Sequence, residues 1–170
     1  MGERATRGLI AAGLVLVLAV VNASIWRNQT LLRHGTLISL ELAPVDPRSL
    51  MQGDYMALDW AIARELRDRL GTALPASGAM VVRRAAGSTR ATLVRLDRGE
   101  PLADGESRIA YAVRDGRIRI ATDAYYFQEG QADVYARARY GALRVDERGR
   151  ALLVGLQDAE LAWLGPLPDR

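Results

Sequence analysis

The chain has no cysteine, which excludes disulfides, thiolate zinc sites and a cysteine nucleophile. It also has no lysine, because all 23 of its cations are arginine. Schiff-base chemistry, a Ser-Lys dyad and a phosphate-loop lysine are therefore excluded as well. The single histidine, His34, has no partner at metal-ligand spacing. No cofactor and no metal are expected.

At 170 residues the chain has room for one domain and an anchor. Its net charge of +3 suggests nucleic acid until it is counted by region. Residues 1–33 carry Arg4, Arg7, Arg27 and Arg33 against Glu3, whereas residues 34–170 carry 19 arginines and 19 carboxylates. The excess belongs to the N-terminal segment, and no arginine-rich face stands out in the rest. Nucleic-acid binding is not expected.

Gly8 to Trp26 is a run of 19 residues without a charge. As a helix it spans about 28 Å, close to the hydrocarbon thickness of a bilayer. Asn22 and Ser24 fall near its far end, and Trp26 suits the headgroup level. The competing reading is a cleaved signal with Val21-Asn22-Ala23 at the cut. The apolar run is longer than a signal core of about 7–15 residues and continues through Ile25. The short N-terminus favours an N-in start with the bulk exported. The expected division is a cytoplasmic start at 1–7, a transmembrane helix at 8–26, a polar exit at 27–35, an exported domain at 36–165 and a tail at 166–170.

Thr36 to Ala43 alternates Leu37, Ser39 and Glu41 against Ile38, Leu40 and Leu42, the pattern of a strand. Asp54 to Trp60 suits another. Leu58, Ile62, Leu66 and Leu70 then recur every four residues as one helical ridge. Asp59 is the expected cap, Gly71 the stop, and Arg64–Asp68 and Glu65–Arg69 the pairs on the wet side. Residues 79–85 and 91–97 form one expected hairpin, and 108–113 and 117–121 form another around Asp115-Gly116. A brief helix within 130–140 and a hairpin of 143–146 with 151–156 follow. The fold class is α+β: one N-terminal transmembrane helix, then a β-rich, mostly antiparallel domain with one or two short helices.

Gly53-Asp54-Tyr55-Met56-Ala57-Leu58-Asp59-Trp60 resembles the motif of the GDYXXLXY protein family. Gly53, Asp54, Tyr55 and Leu58 match it, and Trp60 stands where the motif has tyrosine. Residues 47–52 resemble the family's lead-in turn, Tyr126-Phe127-Gln128-Glu129-Gly130 its second block, and residues 143–151 its closing hairpin. The resemblance implies a bacterial, membrane-anchored domain of unestablished chemistry, often encoded beside multi-pass membrane proteins. Together with the N-in start, it implies an inner-membrane protein with a periplasmic domain and a multi-pass partner.

The motif admits two readings. In the first it is a folding device: Gly53 closes a turn, Asp54 accepts backbone N–H groups, and Tyr55 faces away from Leu58 and Trp60. In the second, Asp54 and Glu129 are two carboxylates of one ligand-binding or hydrolytic site in the envelope. Elsewhere, His34 is expected at the headgroups. Glu100, Asp104 and Glu106 are expected in a solvated loop, Tyr125, Tyr126 and Phe127 in core packing, and Arg137 and Arg139 on the surface. The function expected is a membrane-anchored, non-enzymatic interaction or assembly module.

Overall fold

A computed structural model of the chain describes residues 2–43 and 55–166, the side chains at 3–6 and 72 excepted. Gly53, Asp54 and the lead-in turn at 47–52 lie outside these residues.

Helix α1 runs unbroken over Glu3–His34, which at about 1.5 Å per residue is roughly 48 Å. The stretch Arg7–His34 is long and apolar enough to cross a membrane, and the rest of the protein covers none of its most apolar window. The polar exit continues the same helix as far as Gly35, whose N–H donates to the Leu31 carbonyl. Leu31 is the first buried side chain among the described residues, so the helix is docked where the domain begins.

The domain holds two four-stranded antiparallel sheets and a two-stranded ribbon. In the first sheet β1 (Thr36–Glu41) pairs with β8 (Tyr140–Val145), β8 with β9 (Ala151–Gln157), and β9 with β10 (Trp163–Leu164). In the second, β3 (Ser77–Arg84) lies between β4 (Ala91–Leu96) and β5 (Glu106–Arg114), and β6 (Arg117–Arg119) pairs with β5. The ribbon joins β2 (Tyr55–Ala57) to β7 (Ala124–Tyr126). Among the described residues two short helices, α2 (Ala61–Leu70) and α3 (Ala132–Tyr135), join these strands in an α+β domain. Asp115 and Gly116 both have positive φ, 51° and 69°, the geometry that a two-residue turn between twisted strands requires.

One apolar core runs through these elements and includes Ile38, Leu40, Trp60, Leu66, Met80, Ile109 and Leu143. The β1 alternation is only half as expected. Ile38 and Leu40 are buried, but so is Ser39 on the opposite face. Its hydroxyl donates to Gln157 Oε1 at 2.7 Å and lies 2.8 Å from Thr89 Oγ1. The Ser39 proton is committed to Gln157, so Thr89 donates to Ser39. Gln157 Nε2 donates in turn to the Leu161 carbonyl, which satisfies its amide from both ends. The buried face is thus satisfied by residues 50 and 118 positions away.

Helix α2 begins one residue later than expected. Trp60 holds the N-cap position and makes no side-chain cap bond. Asp59 instead takes the Arg64 guanidinium, with Nη2 to Oδ2 at 2.8 Å, while Glu65 and Arg69 pair along the exposed face. Gly71 ends the helix at φ 50°.

The loop at 100–106 is not uniformly solvated. The Glu106 side chain is 1% exposed, bonded to Arg83 at 2.7 Å and to Arg95 at 2.9 Å. It also accepts the Ala103 N–H, and three of the second sheet's four strands, β3, β4 and β5, meet at it. Glu100 pairs with Arg95 as well. The Ala103 N–H first, then Arg95 and Arg83, hold the Glu106 carboxyl down at about 2, against burial. A folded pKa below the unfolded value stabilises the domain above the unfolded value, and the gain fades as pH falls through the folded one. Urea midpoints are therefore expected to decline between pH 4.5 and about 2. In Glu106→Gln the midpoint should start lower at neutral pH and fall less over that window. Parallel profiles for the two proteins would refute the assignment.

Candidate partner-contact site

The β2–β7 ribbon joins the first motif block to the second. Tyr55 stands opposite Tyr126, Met56 opposite Tyr125 and Ala57 opposite Ala124. Strand alternation sends Met56, Leu58 and Trp60 into the core and leaves Tyr55 half-exposed and Ala57 exposed. On β7 the same alternation sends Tyr125 inward, edge-on to Tyr135 at 5.1 Å, while Phe127 stacks on that ring at 4.9 Å. Burial first, then the Tyr135 hydroxyl, push the Tyr125 phenol up to about 12, so it is neutral and no proton acceptor at ordinary pH.

Tyr126 departs from the expected core packing. It is 75% exposed, with its ring 5.6 Å from that of Tyr55. The two form an aromatic pair on the surface. Gly130 turns the chain beyond at φ 82°. Glu129 is exposed and makes no hydrogen bond or ion pair among the described residues. Asp54, its proposed partner, lies outside them.

At the other end of the ribbon the Leu58 N–H donates to the Asp123 carbonyl, and the chain opens into a cleft of about 200 Å³. Its buried lining comes from Leu58, Trp60, Ala63 and Ile118. Around them stand four guanidiniums, Arg64 and Arg67 from α2 and Arg117 and Arg119 from β6, against two carboxylates, Asp59 and Asp123. Asp59 neutralises Arg64, and Asp123 pairs with Arg119 at 2.8 Å. Arg67 and Arg117 have no side-chain partner among the described residues.

Motif residues thus supply the apolar side of a basic cleft, and the ribbon extends from it to the Tyr55–Tyr126 pair. A family model for the GDYXXLXY protein matches residues 17–156. The chain belongs to the GDYXXLXY protein family. The match covers the C-terminal half of α1 and the domain as far as Leu156 in β9. No curated protein and no solved structure matches the chain.

In this member of the GDYXXLXY family the cleft suits an anion. A guanidinium presents planar, paired donors to a carboxylate, and the low polarity of the buried lining strengthens such a bond. Among the described residues no cluster of three metal-ligating side chains occurs. The linear order of the chain does not announce this cleft. Arg64 and Arg67 lie some fifty residues from Arg117 and Arg119, and each pair alone reads as an ordinary wet face. The one available signal was β6 itself, whose Arg-Ile-Arg alternation places two cations around a buried isoleucine.

Proposed function

We propose that the protein is a membrane-anchored, non-enzymatic interaction module of the bacterial envelope. Residues 8–26 cross the inner membrane, residues 36–165 lie on the periplasmic side, and the partner is a multi-pass membrane protein. The contact surface is the motif ribbon with Tyr55, Tyr126, Glu129 and Gly130, continued by the arginine cleft over Leu58 and Trp60. An acidic segment of the partner enters the cleft and meets Arg67 and Arg117.

The observation that carries this reading is the join between helix and domain. Arg150 Nη2 donates to Asn28 Oδ1 at 2.8 Å, and Arg144 Nη1 donates to the Gly35 carbonyl at 2.8 Å. With Leu31 buried at the same place, the domain is fixed to α1 and does not trail on a linker. A partner in the same bilayer then meets a surface already confined and oriented, so less entropy is lost on binding.

The test is photo-crosslinking from position 126 in membranes at native expression, followed by identification of the adduct. One multi-pass membrane protein is expected. Arg67→Glu with Arg117→Glu should cut its yield at least tenfold, because each charged hydrogen bond contributes about 1.5–3 kcal/mol. Recovery of the protein without an adduct, or a yield unchanged by the double reversal, would refute the assignment.

A further inference from the structure

A second groove, of about 460 Å³, lies between the end of α1 and the β8–β9 hairpin. We propose that it holds the phosphate of an anionic phospholipid headgroup, so that a lipid clamps the domain upright on the bilayer. The inference rests on α1 crossing the membrane.

Its position comes first. The uncharged run of α1 ends at Trp26, which is 68% exposed and lines the groove. An indole at the end of a membrane helix sits among the headgroups. From Trp26 to buried Leu31 the helix rises only about 8 Å. The hairpin turn is fixed beside the same stretch of helix by the Arg150–Asn28 bond. The helix face that brings Arg27, Thr30 and His34 to the groove continues into the apolar run through Leu16 and Val20, both exposed, so a lipid lying along them has its headgroup at the mouth of this groove.

The charge is the second argument. Arg27 from the helix and Arg148 from the turn both line the groove, are exposed, and have no side-chain partner among the described residues. Arg150 adds further donors. Two carboxylates oppose them. Asp146 is already engaged by the turn, accepting the N–H groups of Arg148 at 3.0 Å and Arg150 at 2.9 Å. Glu147 is the one carboxylate of the groove left uncommitted. Cations from two elements thus face one space next to the membrane surface, where a phosphodiester is the abundant anion. A free phosphate has the same chemistry but not the neighbouring Trp26 and apolar helix.

The experiment places the full chain in nanodiscs made from an equal mixture of phosphatidylcholine and phosphatidylglycerol, then counts retained lipids by native mass spectrometry after detergent release. Preferential retention of phosphatidylglycerol is expected. Arg27→Gln with Arg148→Gln should lower that preference about twenty-five-fold, since each arginine near an anionic surface contributes roughly fivefold. Arg27→Gln alone lies outside the domain core and should give about a fivefold loss, which guards against misfolding of the double variant. Equal retention of the two lipids, or a preference untouched by either variant, overturns the proposal. So does displacement of the lipid by inorganic phosphate. Failure of the chain to enter nanodiscs of either composition would instead overturn the membrane crossing itself.

Discussion

Truncation of Trp60 to alanine is expected to cost the domain about 3–5 kcal/mol, the usual loss for a large aromatic in a closed core. The side chain is 2% exposed, and its backbone bridges to Leu42 at the end of β1. Gly141 on β8 shows how tightly the ring is held. A Cβ placed there would come 2.5 Å from Trp60 Cη2 and 2.7 Å from Cζ3, atoms of the second ring of the indole. Gly141→Ala should therefore cost about 1–3 kcal/mol by overpacking.

The family motif has tyrosine where this chain has Trp60, and a single ring withdraws much of that bulk. In a Trp60→Tyr background Gly141→Ala should become nearly neutral, with a coupling of at least about 1 kcal/mol in the double-mutant cycle. Trp60 Nε1 is also buried without a hydrogen-bond partner among the described residues. Trp60→Phe removes that orphan donor, so it should lose less stability than the change in buried area suggests. Urea unfolding followed by near-ultraviolet dichroism would measure all of these. Equal costs for Gly141→Ala beside tryptophan and beside tyrosine would remove the indole contact as the reason for the glycine.

Features set by neighbours in sequence were legible, and features set by distant ones were not. The 19-residue apolar run, the Asp115-Gly116 turn and the Ile62–Leu66 ridge depend on local pattern and appear where periodicity puts them. Ser39 reads as a solvent-facing residue because nothing nearby announces that Thr89 and Gln157 will cover it. Asp59 is a good cap by type, but Arg64 offers a full charge, and the carboxylate goes there. Glu106 looks like loop polarity until Arg83 and Arg95 arrive from separate strands. β10 has only two residues, too few to show a period. At the candidate site the opposition of Tyr55 to Leu58 and Trp60 was legible, because strand alternation alone sets it. Its consequence was not, because Arg117 and Arg119 reach the cleft through the sheet.

Leu16→Arg with Val17→Arg is expected to release the chain from membranes. The two residues stand at the middle of the apolar run, are 66% and 59% exposed, and touch nothing the domain needs. Each arginine at the centre of a spanning helix opposes insertion by about 2.5–3.5 kcal/mol, so the pair should abolish anchoring. The domain, whose first buried side chain among the described residues is Leu31, should keep its stability. Carbonate extraction gives the first readout and urea unfolding the second. If the unsubstituted protein carried a cleaved signal, its membrane-fraction band would migrate as a chain shorter by some twenty residues. A full-length band in the carbonate pellet before the substitutions, and in the supernatant after them, is what a crossing helix requires. A doubly substituted chain that still resisted carbonate would mean that lipid does not surround this helix. Both the groove beside Trp26 and the oriented partner surface would then lose their premise.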